Sequence, residues 1–205
     1  MAVSVPARRP TAASRSVAMP LLLLVGFAMS VVLRSALGGA AVARSVPAGL
    51  VFAAGLLVLA VTSAPADVLH VRRRQLLLGA VAGLAGAAVL CLPAALHALG
   101  AGPSVARSGT GFLGWALVVS VVASAEEAFL RGALFRHLER YGLGTAIVVP
   151  ALGFAALHMP LYGWGAAPLD LAVGIWLGAL RATTGTWTAP AVAHILADWA
   201  AWWLA

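Results

Sequence analysis

Ser124-Ala-Glu-Glu-Ala-Phe-Leu-Arg131 lies inside an apolar run that extends from about Phe112 to about Phe135. A helix needs about 20 apolar residues to cross a bilayer, and this run supplies them. A charged side chain at that depth costs at least about 2.5–3.5 kcal/mol, so intramembrane charges are rare, come with partners and mark working sites. The chain has three glutamates, and Glu126 and Glu127 are two of them. The stretch therefore predicts a membrane helix and places the centre of function on it.

Composition agrees. Over 205 residues the chain is 62% hydrophobic and 9% charged, with a mean hydropathy of +1.01. A soluble domain carries about 25% charged residues. The fold class is all-α, a polytopic membrane bundle, and the length suits one compact unit. The formal net charge is +7, carried by 13 arginines and no lysine. These arginines form no basic stripe; they stand between apolar spans, where membrane topology accounts for them. Nucleic acid is excluded as a partner. The expected partners are membrane lipid and a peptide or membrane-protein substrate. The single cysteine, Cys91, rules out an intrachain disulfide or a cysteine metal cluster.

Outward from the central run, the pattern predicts about seven transmembrane helices, at 19–37, 47–63, 75–97, 112–135, 142–158, 169–182 and 188–204. Residues 1–18 are polar and predict a disordered cytoplasmic tail; 19–205 form the bundle. The basic segment ahead of Leu21 resembles a signal peptide, with Ala41-Val-Ala43 as a cleavage-site mimic, but an uncleaved first helix is the preferred reading. The Gly- and Ala-rich third run suits close helix contacts. Pro160 is expected to close the fifth helix, and Trp199, Trp202 and Trp203 read as an interfacial anchor. Arg8, Arg9, Arg15, Arg72, Arg73, Arg74, Arg136, Arg140 and Arg181 fall on one side if the N-terminus is cytoplasmic, with Arg44 and Arg107 outside and Arg34 ambiguous. The positive-inside rule selects that orientation in the cell membrane.

Four polar features interrupt the apolar runs: Glu126 and Glu127 with Arg131, then His158, His194 and Asp198. Glu127 and Arg131 are four apart and share a helix face, so they can pair. Glu126 is rotated about 100° from Glu127 and needs a partner from another helix. His194 and Asp198 share a face, and Phe154 lies one turn before His158. A lone buried histidine is more often a packing residue than a catalyst. Two histidines and three acids on three separate spans are harder to assign to packing, and one bundle can point Glu126, His158, His194 and Asp198 into a single pocket. His70, His97 and His137 sit at helix ends or beside arginines and read as ordinary polar residues.

Glu126-Glu-x-x-x-Arg131, Phe154-x-x-x-His158 and His194-x-x-x-Asp198 resemble the three motifs of the CPBP intramembrane proteases, the family of the type II CAAX prenyl endopeptidases and of bacterial Abi and bacteriocin-immunity proteins. The resemblance covers about 110–205; the first hundred residues match only in being membrane spans. It implies an endopeptidase working within the membrane. Glu126 would be the general base with His158, His194 and Asp198 would face the tetrahedral intermediate, and Glu127 and Arg131 would hold the helix face. Amide hydrolysis needs such a set: a base for water, a donor for the oxyanion and an acid for the leaving amine.

One departure stands out, because CAAX proteases carry Asn where this chain has Asp198. An ionised Asp cannot donate a hydrogen bond to an oxyanion. Asp198 is then protonated, or orients His194, or helps hold a metal. With Glu126, Glu127 and Asp198 ionised, Arg131 cationic and both histidines neutral, the cluster carries −2, which a divalent cation would cancel. Glu126, His158, His194 and Asp198 are the candidate ligands, since two histidines and a carboxylate with an open position make a catalytic zinc site. No His-Glu-x-x-His is present, and family members are argued to work without metal. The alternatives are a non-catalytic partner or immunity protein, or a proton-coupled transporter using the same cluster. Transporters commonly show inverted repeats and broken helices, and the sequence shows neither.

Overall fold

In a computed structural model, residues 17–100 and 111–204 are described. The N-terminal tail to Ser16 and Arg107 lie outside the described residues, as does the side chain of His97. Among the described residues the chain is helical throughout, with no strand. The order is α1 (Ala18–Gly38), α2 (Val46–Ser63), the short α3 (Pro65–Leu69), α4 (Arg73–Gly100), α5 (Phe112–Tyr141), α6 (Leu143–Tyr162), α7 (Ala167–Thr184) and α8 (Thr188–Leu204). Seven of these are long, at the places where the seven apolar runs stand. Five, α1, α2, α4, α5 and α6, are long and apolar enough to cross a membrane on their own. The other two are bundled with them: α7 packs along α6, and α8 along α4 and α5.

Helix α5 is the axis. Half of its most apolar window is buried, against 17% for α1. Phe129, Leu130, Leu134 and Phe135 on α5 are fully enclosed by Phe27 of α1, Phe52 and Leu56 of α2, Leu157 of α6 and Leu177 of α7. The Phe27 and Phe129 rings stack with centroids 5.5 Å apart. The outer helices keep apolar surface for lipid: α1 buries Leu23 and Phe27 but turns Leu22, Val25 and Met29 outward.

Small residues set the helix spacing. Gly79, Gly83 and Gly86 of α4 lie against Thr188, Val192 and Ala193 of α8, so these two helices run parallel. Gly174 and Gly178 of α7 meet Ala151 and Ile147 of α6 in the antiparallel sense. Close approach of this kind is what small residues provide where lipid removes the hydrophobic drive between helices. At the far end of α8, the tryptophans pack onto the start of α5. The Trp115 and Trp202 centroids are 4.9 Å apart, Phe112 and Trp203 5.4 Å, and Trp199 donates its indole N–H to Ser120 at 3.1 Å.

Two expectations are corrected. The fifth helix does not close at Pro160; it runs on to Tyr162 and stops where Gly163 takes φ +80, a conformation glycine adopts without steric cost. The fourth does not remain a regular α-helix. Ala128–Leu134 is π-helical, with all seven residues buried, before α-helix resumes and the element ends at Tyr141. Hydrophobic periodicity carries no mark of such a segment, which is frequent at functional sites.

Gly174→Ala tests the helix spacing. Its added carbon would stand 2.8 Å from Ala151 Cα and 3.1 Å from the Ala151 carbonyl oxygen, and backbone cannot move aside as a flexible side chain can. Thermal unfolding in detergent should show a loss of about 1–3 kcal/mol, the usual cost of overpacking. Gly114→Ala, which meets nothing within 4 Å, should show none.

Candidate active site

The acid pair divides its work because consecutive helical residues face different directions. Glu127, fully buried, turns into the bundle, where its Oε1 accepts from Arg131 Nη1 at 2.8 Å and from His194 Nδ1 at 3.0 Å. Arg131, also fully buried, donates its Nη2 to the Gly174 carbonyl at 3.0 Å, and its guanidinium lies 5.0 Å from the Phe154 ring centroid. Its own carbonyl accepts from Arg181 Nε at 2.9 Å. The i, i+4 pair read from the sequence is thus present, and it ties α5 to α6, α7 and α8.

Glu126 faces the other way, into a cavity of about 330 Å³. His158, His194 and Asp198 line the same cavity, so the four residues that the sequence points at one pocket do share one. Glu127 and Arg131 do not line it. The partner Glu126 requires comes from α1: Arg34 Nη1 stands 3.8 Å from its Oε1. Sequence reasoning left Arg34 as a topology marker. Its signals were a cation near the end of an apolar run and an uncancelled −2 on the cluster. With Arg34 counted, three carboxylates and two guanidiniums leave −1 when both imidazoles are neutral.

Each imidazole has one nitrogen already engaged. His158 Nδ1 lies 2.9 Å from the Phe154 carbonyl, which can only accept, so Nδ1 carries the proton and Nε2 is an acceptor in the neutral ring. Phe154 flanks the ring at 4.5 Å and Tyr162 stacks on it at 5.5 Å, fixing its plane. His194 is likewise a donor at Nδ1, to Glu127, and its Nε2 lies 3.6 Å from Asp198 Oδ2. With carboxylates facing both nitrogens, His194 can donate towards the cavity only as the imidazolium. His137, read as unremarkable, places Nε2 3.1 Å from the Ser63 carbonyl and joins the ends of α2 and α5.

The metal expectation fits this arrangement poorly. Among the described residues no three His, Cys, Asp or Glu side chains group so as to hold an ion. Glu126, His158, His194 and Asp198 line one cavity without converging on one point, and Arg34 already supplies positive charge beside Glu126.

The fold and this cluster define a polytopic helical membrane protein with carboxylates and imidazoles around an internal cavity. Residues 108–200 match the sequence model of the type II CAAX prenyl endopeptidases, Rce1-like. That segment carries all six motif residues, so the family-model match supports the resemblance to the CPBP intramembrane proteases. No curated protein and no solved structure matches the chain.

Removing Arg131 should unfold rather than merely inactivate. Arg131→Met leaves Glu127 buried without its strongest partner, a cost of about 3–5 kcal/mol. The Glu127→Gln/Arg131→Met double variant, which removes both charges, should recover more than half of that loss in thermal unfolding. Equal losses in single and double variants would show that packing, not the ion pair, sets the stability here.

Proposed function

We propose that this chain is an intramembrane endopeptidase of the glutamate type. The observation that carries the reading is the shared cavity: Glu126, His158, His194 and Asp198 reach it from α5, α6 and α8. Glu126 as carboxylate takes a proton from water, with His158 Nε2 as second acceptor to orient that water. The water oxygen bonds to the substrate carbonyl carbon, and the π pair moves onto the carbonyl oxygen. On collapse the C–N bond breaks, and the proton held by Glu126 passes to the amine nitrogen, leaving a carboxylic acid and an amine, which exchange the remaining proton to become carboxylate and ammonium. His194, held by Glu127, and Asp198 face the tetrahedral intermediate. Asp198 acts there by orienting His194, since an ionised carboxylate cannot donate.

The orientation has the N-terminus cytoplasmic. The cavity is walled by Arg44 and Ser45 before α2, Trp115 at the start of α5, Tyr162 at the end of α6 and Ala201 near the end of α8. All stand at the end of the bundle opposite the Arg72–Arg74 connection. By the positive-inside rule that end is extracytoplasmic. The substrate is then a peptide bond at the outer side of the membrane. Reporter fusions in the 70–72 connection and after Ala205 should read opposite sides, the first cytoplasmic; the reverse pair would turn the cavity to the cytoplasm.

The chemical test uses purified protein and internally quenched peptides. Glu126→Gln keeps shape and removes the base; hydrolysis should fall by at least about 10²-fold while thermal unfolding is unchanged. Asp198→Asn should stay within about tenfold of the parent, because Asn can still hold the His194 ring in place and adds a donor. Full activity in Glu126→Gln would remove Glu126 as base. Stoichiometric zinc in the purified parent, lost with activity in Asp198→Asn, would replace this mechanism by a metal-assisted one.

A further inference from the structure

The proposed mechanism lacks a permanent hydrogen-bond donor for the oxyanion. Asp198 stands where the family has Asn, and His194 donates into the cavity only when it carries a second proton. A donor with fixed charge is present, on a helix outside the family-matched segment. Arg34 of α1 lines the cavity beside Glu126, with its side chain 12% exposed. Its Nη1 stands 3.8 Å from Glu126 Oε1, close enough for attraction and too far for a hydrogen bond. Both Nη1 and Nε are buried with no acceptor among the described residues. The guanidinium rests on the Phe52 face, 4.8 Å from the ring centroid, which fixes its plane. Buried guanidinium N–H groups without acceptors are costly, and here they adjoin the pocket where negative charge would develop.

We propose that Arg34 is a catalytic residue of this cavity, donating to the oxyanion of the tetrahedral intermediate, an assignment that rests on the protease reading above. Arg34 accounts for the tolerance of Asp198, because the donor supplied by Asn elsewhere in the family comes here from α1. It also gives the N-terminal helices a chemical role. The step is the one already balanced: as the water oxygen bonds to carbon, the carbonyl oxygen takes the π pair beside Arg34, and returns it when the C–N bond breaks. Arg34 keeps its proton throughout, as a guanidinium does.

The competing role is structural, with Arg34 only neutralising Glu126. A peptidyl phosphinate separates the two, because its tetrahedral anion mimics the intermediate and binding can be measured without turnover. A quenched peptide cleaved by the parent and not by Glu126→Gln supplies its sequence. Arg34→Gln should lower kcat on that peptide by about 10²–10³-fold, the usual effect of losing an oxyanion donor, with KM within threefold. Arg34→Lys should recover part of the loss. Phosphinate affinity should fall by a comparable factor on Arg34→Gln, and should fall equally in the Glu126→Gln background, where there is no charge to neutralise. Phosphinate binding indifferent to Arg34 in that background would overturn the assignment and leave the protease reading standing. An Arg34→Gln protein whose lost activity is matched by lost folded yield, with that yield restored in the Glu126→Gln/Arg34→Gln double variant, would also overturn it. If no library peptide is cleaved by the parent, both readings fall together.

Discussion

The buried ion pair between Glu127 and Arg131 is the interaction on which the bundle depends. Its 2.8 Å contact lies where neither side chain has any exposure. A charge in the membrane interior without a partner is costly, so every group around this pair is constrained to serve it. His194 comes from α8 to donate to the same oxygen, Gly174 of α7 presents a carbonyl to the guanidinium, and Phe154 of α6 covers its face. Four helices are thereby fixed in register by one pair of charges. The close approach of α7 to α6 at Gly174 and Ala151 belongs to the same constraint, because the carbonyl that Arg131 uses is Gly174's own.

The one-residue step from Glu127 to Glu126 separates structure from chemistry. A rotation of about 100° carries the carboxylate from the bundle interior to the cavity wall. The pairing of Glu127 with Arg131 leaves Glu126 free of that cation, at the wall of a cavity that His158 of the next helix also lines. His194 connects the two environments, since one ring nitrogen is held by Glu127 and the other looks towards Asp198 at the cavity. The structural pair thus orients a residue of the candidate site.

Helix α1 changes the electrostatics of the site. The family-matched segment, 108–200, contributes the three carboxylates of the cluster, Glu126, Glu127 and Asp198, and one fully buried arginine, Arg131. Without α1 the cluster carries −2 with both imidazoles neutral; Arg34, 3.8 Å from Glu126, halves that charge from within the chain itself. The N-terminal helices are therefore part of the site's charge balance as well as of the packing around Phe27 and Phe52.

Much of this was legible in the sequence. Apolar run length located the seven long helices among the described residues, five of which are long and apolar enough to span a bilayer. Four-residue spacing gave the Glu127–Arg131 pair, because that geometry is local to one helix. That Glu126, His158, His194 and Asp198 share one cavity could be anticipated because isolated polar groups in lipid have few places to go. Tertiary structure alone decided the remainder. That His194 serves Glu127, that Ala128–Leu134 winds as a π-helix, and that Glu126 finds Arg34 all follow from how separate helices rotate and pack against one another. Residues 34 and 126 are brought together by α1–α2 and α2–α5 packing, and no spacing rule along the chain connects them.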